Sequence, residues 1–232
     1  MKGLVHLRRI FALFLALFLL TCPVFAAETP KYAALTFDDG PSGRFTQALL
    51  EGLEERNVRA TFFLCGYRLA DYGELAGKIR LQGHEVGLHG YSHDSMAKMD
   101  SATLRRELED TRALLPAGCP VSLMRPPGGA ANETVKAVAR DMNLSVVFWS
   151  VDPKDWATDD TELILSRMLD GTGDGDVILL HDMDMSSVEA ALALVDELKE
   201  QGYHFLTVSQ LAMLRLTQLK PGESYEGFRP KL

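Results

Sequence analysis

The residues of this chain that can do chemistry fall into short clusters. Asp38 and Asp39 stand side by side ahead of Gly40 and Pro41. His89 and His93 are four positions apart, and Arg125 precedes Pro126, Pro127 and Gly128. Asp152 to Trp156 reads Asp-Pro-Lys-Asp-Trp, and His181 is followed by Asp182. Two neutral imidazoles and a carboxylate suit a borderline cation such as zinc and leave positions open for water and substrate. Adjacent carboxylates can divide labour. Neighbouring side chains in a strand or tight turn point different ways, so one can bind metal while the other takes a proton. An arginine near such an aspartate keeps it ionised and oriented. A histidine beside a carboxylate, His181 with Asp155, is held protonated and can serve as an acid. Together these are the parts of a metal-assisted hydrolase.

Each cluster alone has a plainer reading. Asp-Asp-Gly-Pro can be a turn with a helix cap, paired histidines can be surface residues, and Arg-Pro-Pro-Gly can be a rigid turn. The 152–156 stretch can be a loop with an aromatic plug, and His181 with Asp182 a buried hydrogen-bonded pair. The clusters weigh more together, because each follows an apolar run. Runs at 33–37, 60–64, 85–88, 145–151, 177–180 and 204–208 suit buried strands. Between them Phe45, Leu49 and Leu53, then Leu104, Leu108 and Leu115, then Ala191, Leu194, Val195 and Leu198 recur at helical spacing. Ser186 and Glu189 have capping-box spacing and predict a helix start. Alternating strands and helices imply a parallel sheet, open or closed into a barrel, with reactive residues at the carboxyl ends of its strands. His84 and His204 fall at predicted strand starts and read as structural. Residues 220–232, with Pro, Gly and mixed charge, read as a loosely held tail.

Apolar residues are 47% and charged residues 24% of the 232, an ordinary globular composition that excludes disordered, collagen-like and disulfide-scaffold proteins. The net charge of −8 argues against nucleic-acid partners. Residues 1–26 read as a secretory signal: Lys2, Arg8 and Arg9 lead, an apolar run follows, and Val24 and Ala26 stand at cleavage-site positions. The rival is an uncleaved anchor. Removing this segment deepens the net charge to −11 and leaves Cys65 and Cys119, for which a disulfide and two buried thiols are equally open. The expected organisation is therefore a leader at 1–26, a domain at 27–216 and a tail at 217–232. The expected location is exported: secreted, in the wall, or anchored at the outer face.

The sequence resembles the polysaccharide deacetylases of carbohydrate esterase family four, the NodB homology domain, over about residues 31–212. The residues that carry the resemblance are Thr36 to Pro41, His89-Gly90-Tyr91-Ser92-His93, Arg125 to Gly128, Asp152 to Trp156, and Leu179 to Asp182, in order. Ala60-Thr61-Phe62-Phe63 is a further familiar strand. The resemblance implies an α/β fold, a distorted (β/α) barrel with about seven parallel strands. It implies metal-dependent deacetylation of sugars. By matching positions, Asp39, His89 and His93 hold the metal, most readily Zn2+, with Co2+, Ni2+ or Mn2+ as alternatives. Asp38 is the general base that takes a proton from a metal-bound water, and Arg125 pairs with it. His181 is the general acid, tuned by Asp155. Trp156 and Leu179 wall the acetyl pocket. The backbone near Pro127 and Gly128 faces the oxyanion, and Gly128 is the better donor because Pro127 has no N–H.

Two positions depart from the family. Gly90 stands where Ser or Thr is usual, which removes a hydroxyl near the metal and bears on affinity but not on the ligand set. Gly129 predicts a small, mobile lip and a more open groove. The expected reaction is N-deacetylation of peptidoglycan or a chitin-like polymer by a monomer with no nucleic-acid partner. The alternatives are an O-acetyl xylan-type esterase and a non-catalytic glycan-binding relative.

Overall fold

The computed structural model describes residues 29–230. The predicted leader lies outside the described residues. Eight strands form one sheet in which every strand pair is parallel. They are β1 (Lys31–Asp38), β2 (Thr61–Leu64), β3 (Glu85–Leu88), β4 (Leu123–Met124), β5 (Ser145–Val147), β6 (Asp176–His181), β7 (Tyr203–Phe205) and β8 (Ser224–Tyr225). Helices α1 (Arg44–Glu55), α2 (Gly66–Leu81), α3 (Ser101–Ala113), α4 (Glu133–Asp141), α5 (Thr161–Gly171), α6 (Met185–Glu200) and α7 (Val208–Leu214) link them. The order runs β6-β1-β2-β3-β4-β5-β8, with β7 beside the start of β1. After β5 the chain leaves strand geometry, and Val151 bridges to Ile178 of β6, while Gly227 beyond β8 bridges to Asp176 at its start. These bridges close the ring into a distorted barrel, as predicted.

The strands read as unbroken apolar runs because both faces are covered. On β1, Ala33, Leu35 and Phe37 pack outward with Leu49 and Leu53 of α1 and Leu194 of α6. Ala34 faces inward, in a second cluster with Phe63, Leu123, Val147 and Val177. Val208, Leu211 and Ala212 of α7 complete that inner cluster, and the Val208 N–H donates to Thr61 Oγ1 at 3.0 Å. Helix α7 therefore plugs the barrel at the amino ends of its strands and leaves the opposite mouth open.

Several expectations change. The predicted strand at 204–208 ends at Phe205, because Thr207 caps α7 through a reciprocal capping box with Gln210. The box predicted at Ser186 is absent: Asp184 caps α6 by accepting the Ser186 N–H. The 145–151 run is strand only to Val147. The tail is not loosely held. Ser224 and Tyr225 pair with β5, Phe228 is buried, and Arg229 meets the buried Asp176 at 2.8 Å. Cys65 and Cys119 are both free thiols.

Candidate active site

The open mouth collects the reactive residues. Asp38 ends β1 and pairs in register with His181, which ends β6. His89 follows β3 directly, and Arg125 follows β4. Strand alternation turns Thr36 and Asp38 inward, away from the outward Leu35 and Phe37.

Arg125 is fully buried inside the barrel. A buried guanidinium is costly unless its donors are met, and here they are. Nη1 donates to Asp38 Oδ1 at 2.7 Å and to Thr36 Oγ1 at 2.8 Å, Nε to Val147 O at 3.1 Å, and Nη2 to Phe148 O at 2.7 Å. Its plane lies over the Phe63 ring, 4.2 Å from the centroid. Burial pushes the guanidinium pKa down and Asp38 opposes that shift. Asp38 is 3% exposed, hydrogen-bonded to Arg125 through Oδ1, with Oδ2 3.7 Å from His89 Nε2 at the edge of the mouth.

Asp39, His89 and His93 each offer a ligand atom, all within 4.8 Å of one another. Asp39 Oδ1 lies 3.2 Å from His89 Nε2 and 3.0 Å from His93 Nε2, yet it is buried and makes no hydrogen bond. His89 Nδ1 sits 2.7 Å from Arg125 O, which assigns the ring hydrogen to Nδ1 and aims the Nε2 lone pair at Asp39. Lone pairs of three donors converging on one point fit a cation there. Burial acts to raise the Asp39 pKa, but the two imidazoles outweigh it and hold the carboxyl well below the usual carboxylate range. Asp39 and His93 both adopt left-handed backbone, with φ of 69° and 67°. Such residues cost of order 1–3 kcal/mol each and gather where function demands them.

His181 faces Asp155 across the mouth. Asp155 is 3% exposed and accepts the His181 backbone N–H at 2.7 Å and its Nδ1 at 2.9 Å. Nε2 is then the nitrogen left to face the cavity. Burial disfavours the charged ring, but Asp155, helped by Asp38 and Asp39, lifts the His181 pKa to about 9. Asp182 does not pair with His181. It is fully buried beside Gly40, accepts the Thr46 hydroxyl, and is pushed up to about 6 by burial. A Cβ at position 40 would collide with its carboxylate, so the glycine after Asp39 is required by close approach.

A cavity of about 610 Å³ opens here, and Asp39, Asp155, Trp156, Asp159, His181 and Asp184 contribute to its lining. Trp156 is 68% exposed and offers a bare indole face. Leu179 does not reach this lining. It points inward two residues before His181, buried below the mouth. Pro127 and Gly128 form a short 3-10 turn after β4, closed by the Gly129 and Ala130 N–H groups donating to Pro126 O and Pro127 O. Gly128 adopts φ 61°, and its own N–H is outside those turn bonds.

The lip at Gly129 is not open. Trp149 leans on it, and a Cβ there would meet the indole at 2.9 Å. At Gly90, with φ 85°, a Cβ would meet the Met96 methyl at 2.8 Å. Sequence reasoning missed Trp149 and Glu107, and gave Thr36 a place in a motif but no role. Glu107 had a signal: it shares the inward stripe of α3 with the buried Leu104, Leu108 and Thr111, an unusual place for a charge.

The described residues thus bring an arginine-paired carboxylate, an Asp–His–His donor set and an aspartate-paired histidine to one mouth. Residues 26–147 match the family model described as polysaccharide deacetylase. The chain is 36% identical over 183 residues to a Bacillus subtilis peptidoglycan-N-acetylmuramic acid deacetylase, PdaC, covering 78% of this chain and 38% of that one. It is 34% identical over 187 residues to a Listeria monocytogenes peptidoglycan-N-acetylglucosamine deacetylase, PgdA, covering 80% and 40%. The chain spans about two fifths of the length of these relatives. Among solved structures, a family 4 acetyl xylan esterase from Clostridium thermocellum, in complex with a cobalt ion, is 31% identical. It superposes with a TM-score of 0.79 over 85% of this chain and 98% of that one.

Proposed function

The chain belongs to the polysaccharide deacetylase family, and on that premise we propose that it hydrolyses N-acetyl groups from the sugars of a glycan. The observation that carries the reading is the meeting at one mouth of the Arg125–Asp38 pair, the Asp39–His89–His93 donor set and the His181–Asp155 pair. Peptidoglycan is the first substrate and a chitin-like N-acetylglucosamine polymer the second. The names of the matched relatives support that order. The leader pattern at 1–26 supports an exported enzyme that works at the wall.

In this reading Asp39, His89 and His93 hold a divalent cation, zinc before cobalt, nickel or manganese. The cation supplies Lewis acidity to the acetamide carbonyl and to a water. Asp38 takes the proton of the attacking water, and Arg125 keeps that carboxylate aimed. The Gly128 N–H, presented by the turn at Pro127, faces the developing oxyanion. His181 gives its proton to the departing nitrogen, and Asp155 keeps that proton available. Trp156 supports the sugar at the cavity edge. One water is consumed, and acetate and a free amine are released, with no acyl group on the protein.

A second reading, hydrolysis of O-acetyl esters on a xylan-type polymer, is favoured by the likeness to the acetyl xylan esterase. An alkoxide leaves more readily than an unprotonated nitrogen, which would depart as an amide anion, so the ester needs His181 less. The test is acetate release from N-acetylglucosamine oligomers, purified peptidoglycan and acetylated xylan, by protein stripped of metal and then given zinc. Zinc-restored release from either N-acetylated substrate supports the first reading. Release from xylan alone would overturn it for the second, and release from none, with zinc bound, would overturn both.

A further inference from the structure

We propose that Glu107 of α3 is the residue that positions His93 for metal binding. The inference rests on the reading of Asp39, His89 and His93 as a metal site. Between the two histidines the chain runs Gly90, Tyr91, Ser92. One side of this link is held by the start of α2, where the Gly66 N–H donates to Gly90 O at 2.9 Å and the Tyr67 N–H to Tyr91 O at 3.1 Å. The other side is held by a single atom. Glu107 Oε2 accepts the Tyr91 N–H at 2.8 Å, the Ser92 N–H at 2.8 Å and the Ser92 hydroxyl at 3.1 Å. The same oxygen lies 3.4 Å from where a Cβ on Gly90 would stand.

A carboxylate that gathers two consecutive backbone N–H groups fixes both peptide planes, and charge-assisted bonds of this kind are the strong ones. The next residue is His93. The two histidines differ in how much they need such support. The His89 side chain is 2% exposed and its Nδ1 is anchored on Arg125 O. The His93 side chain is 42% exposed, and its backbone is held left-handed at φ 67°. Its place relative to Asp39 is set by the link, whose N–H side Glu107 holds. Helix α3, outside the barrel, thereby reaches a ligand that no strand carries.

All three bonds fall on one oxygen, so the amide oxygen of glutamine can replace it while alanine cannot. Metal affinity is measured on the whole protein by Co2+ titration, read in the visible absorption of the bound ion, and by Zn2+ competition. Glu107→Ala is expected to weaken Co2+ binding about 10–100-fold and alter the absorption band, with Glu107→Gln restoring most of the affinity. If the alanine variant does not fold, Glu107→Asp, which withdraws the oxygen by one methylene, carries the same expectation. Asp100→Ala is the control: it removes the cap at Thr103 N, 2.7 Å away, and loosens the same helix without touching the link. It should lower the melting temperature and leave Co2+ affinity unchanged. Wild-type affinity and spectrum in Glu107→Ala would overturn the inference, as would equal weakening in Asp100→Ala. A wild-type protein that binds no Co2+ would overturn the metal site itself, and this inference with it.

Discussion

Arg125 Nη1 and Asp38 Oδ1 meet at 2.7 Å inside the barrel, where the arginine has no solvent exposure and the aspartate almost none. The pair is held by its surroundings as much as by its charges, since the other guanidinium donors end on Thr36 and on the carbonyls of Val147 and Phe148. Arg125→Ala strands a buried carboxylate and should cost about 3–5 kcal/mol of stability. Arg125→Lys keeps the charge but loses the fork, and the shifted base should slow acetate release about 10²-fold. Thermal denaturation and turnover of the two variants check both figures, and a fully active lysine variant would contradict the orienting role.

Asp38→Asn is nearly isosteric and cannot take a proton. Acetate release should fall about 10²–10⁴-fold, while Co2+ affinity stays within a few-fold of wild type. A parallel loss of metal would instead make Asp38 a ligand.

The His181 pKa of about 9 lies above the ordinary 6.5. The ring therefore carries its proton at neutral pH and loses it as pH rises through the upper value. Turnover should fall on that alkaline limb, and a cation that neutralises Asp39 moves the limb to lower pH. Asp155→Asn removes the main cause of the raised value, so its limb should move toward neutrality. The same sign holds for stability: the His181–Asp155 contribution is complete below pH 6.5 and fades as pH approaches 9. An unchanged pH profile in Asp155→Asn would refute the pairing as the cause.

Zinc at about 100 times its dissociation constant should stabilise the protein by about 2.7 kcal/mol, if it binds only the folded chain. Asp39→Ala or His93→Ala should abolish that shift in melting temperature. A chelator should reverse it in wild type.

His84 makes a separate prediction far from the mouth. Its Nδ1 accepts the Ala60 N–H at 3.1 Å, and burial, with Arg59 nearby, lowers its pKa to about 4. The unfolded chain then binds the extra proton between pH 6.5 and 4, so acidification over that window should cost up to about 3 kcal/mol. Asp182, raised to about 6, acts in the opposite sense below that pH. The measured quantity is therefore the difference between wild type and His84→Asn, which keeps an acceptor but cannot titrate. Equal pH slopes would refute it.

The mouth was legible because most of its residues follow apolar runs that suit strands buried on both faces. Asp38, His89, Arg125 and His181 follow or end such strands directly. What escaped were contacts made across the fold. Tyr225 and Phe228 are single aromatics among polar residues, and only pairing with β5 and the inner cluster gives them a place. Trp149 covers Gly129 from a stretch with no regular geometry. Glu107 acts through backbone groups of another segment, and backbone acceptors leave no trace in residue types. Thr207 was hidden because a strand-like run, 204–208, contains a helix cap at its end.

The plug formed by α7 under Ala34, Phe63, Leu123, Val147 and Val177 also governs traffic. A barrel sealed at that end gives no back door among the described residues, so in the proposed reaction acetate departs through the opening that the polymer covers. The small product must slip past a bound chain or wait for it to lift. Short oligomers, which leave the opening sooner, are expected to turn over faster per acetyl group, and acetate release compared across chain lengths checks this.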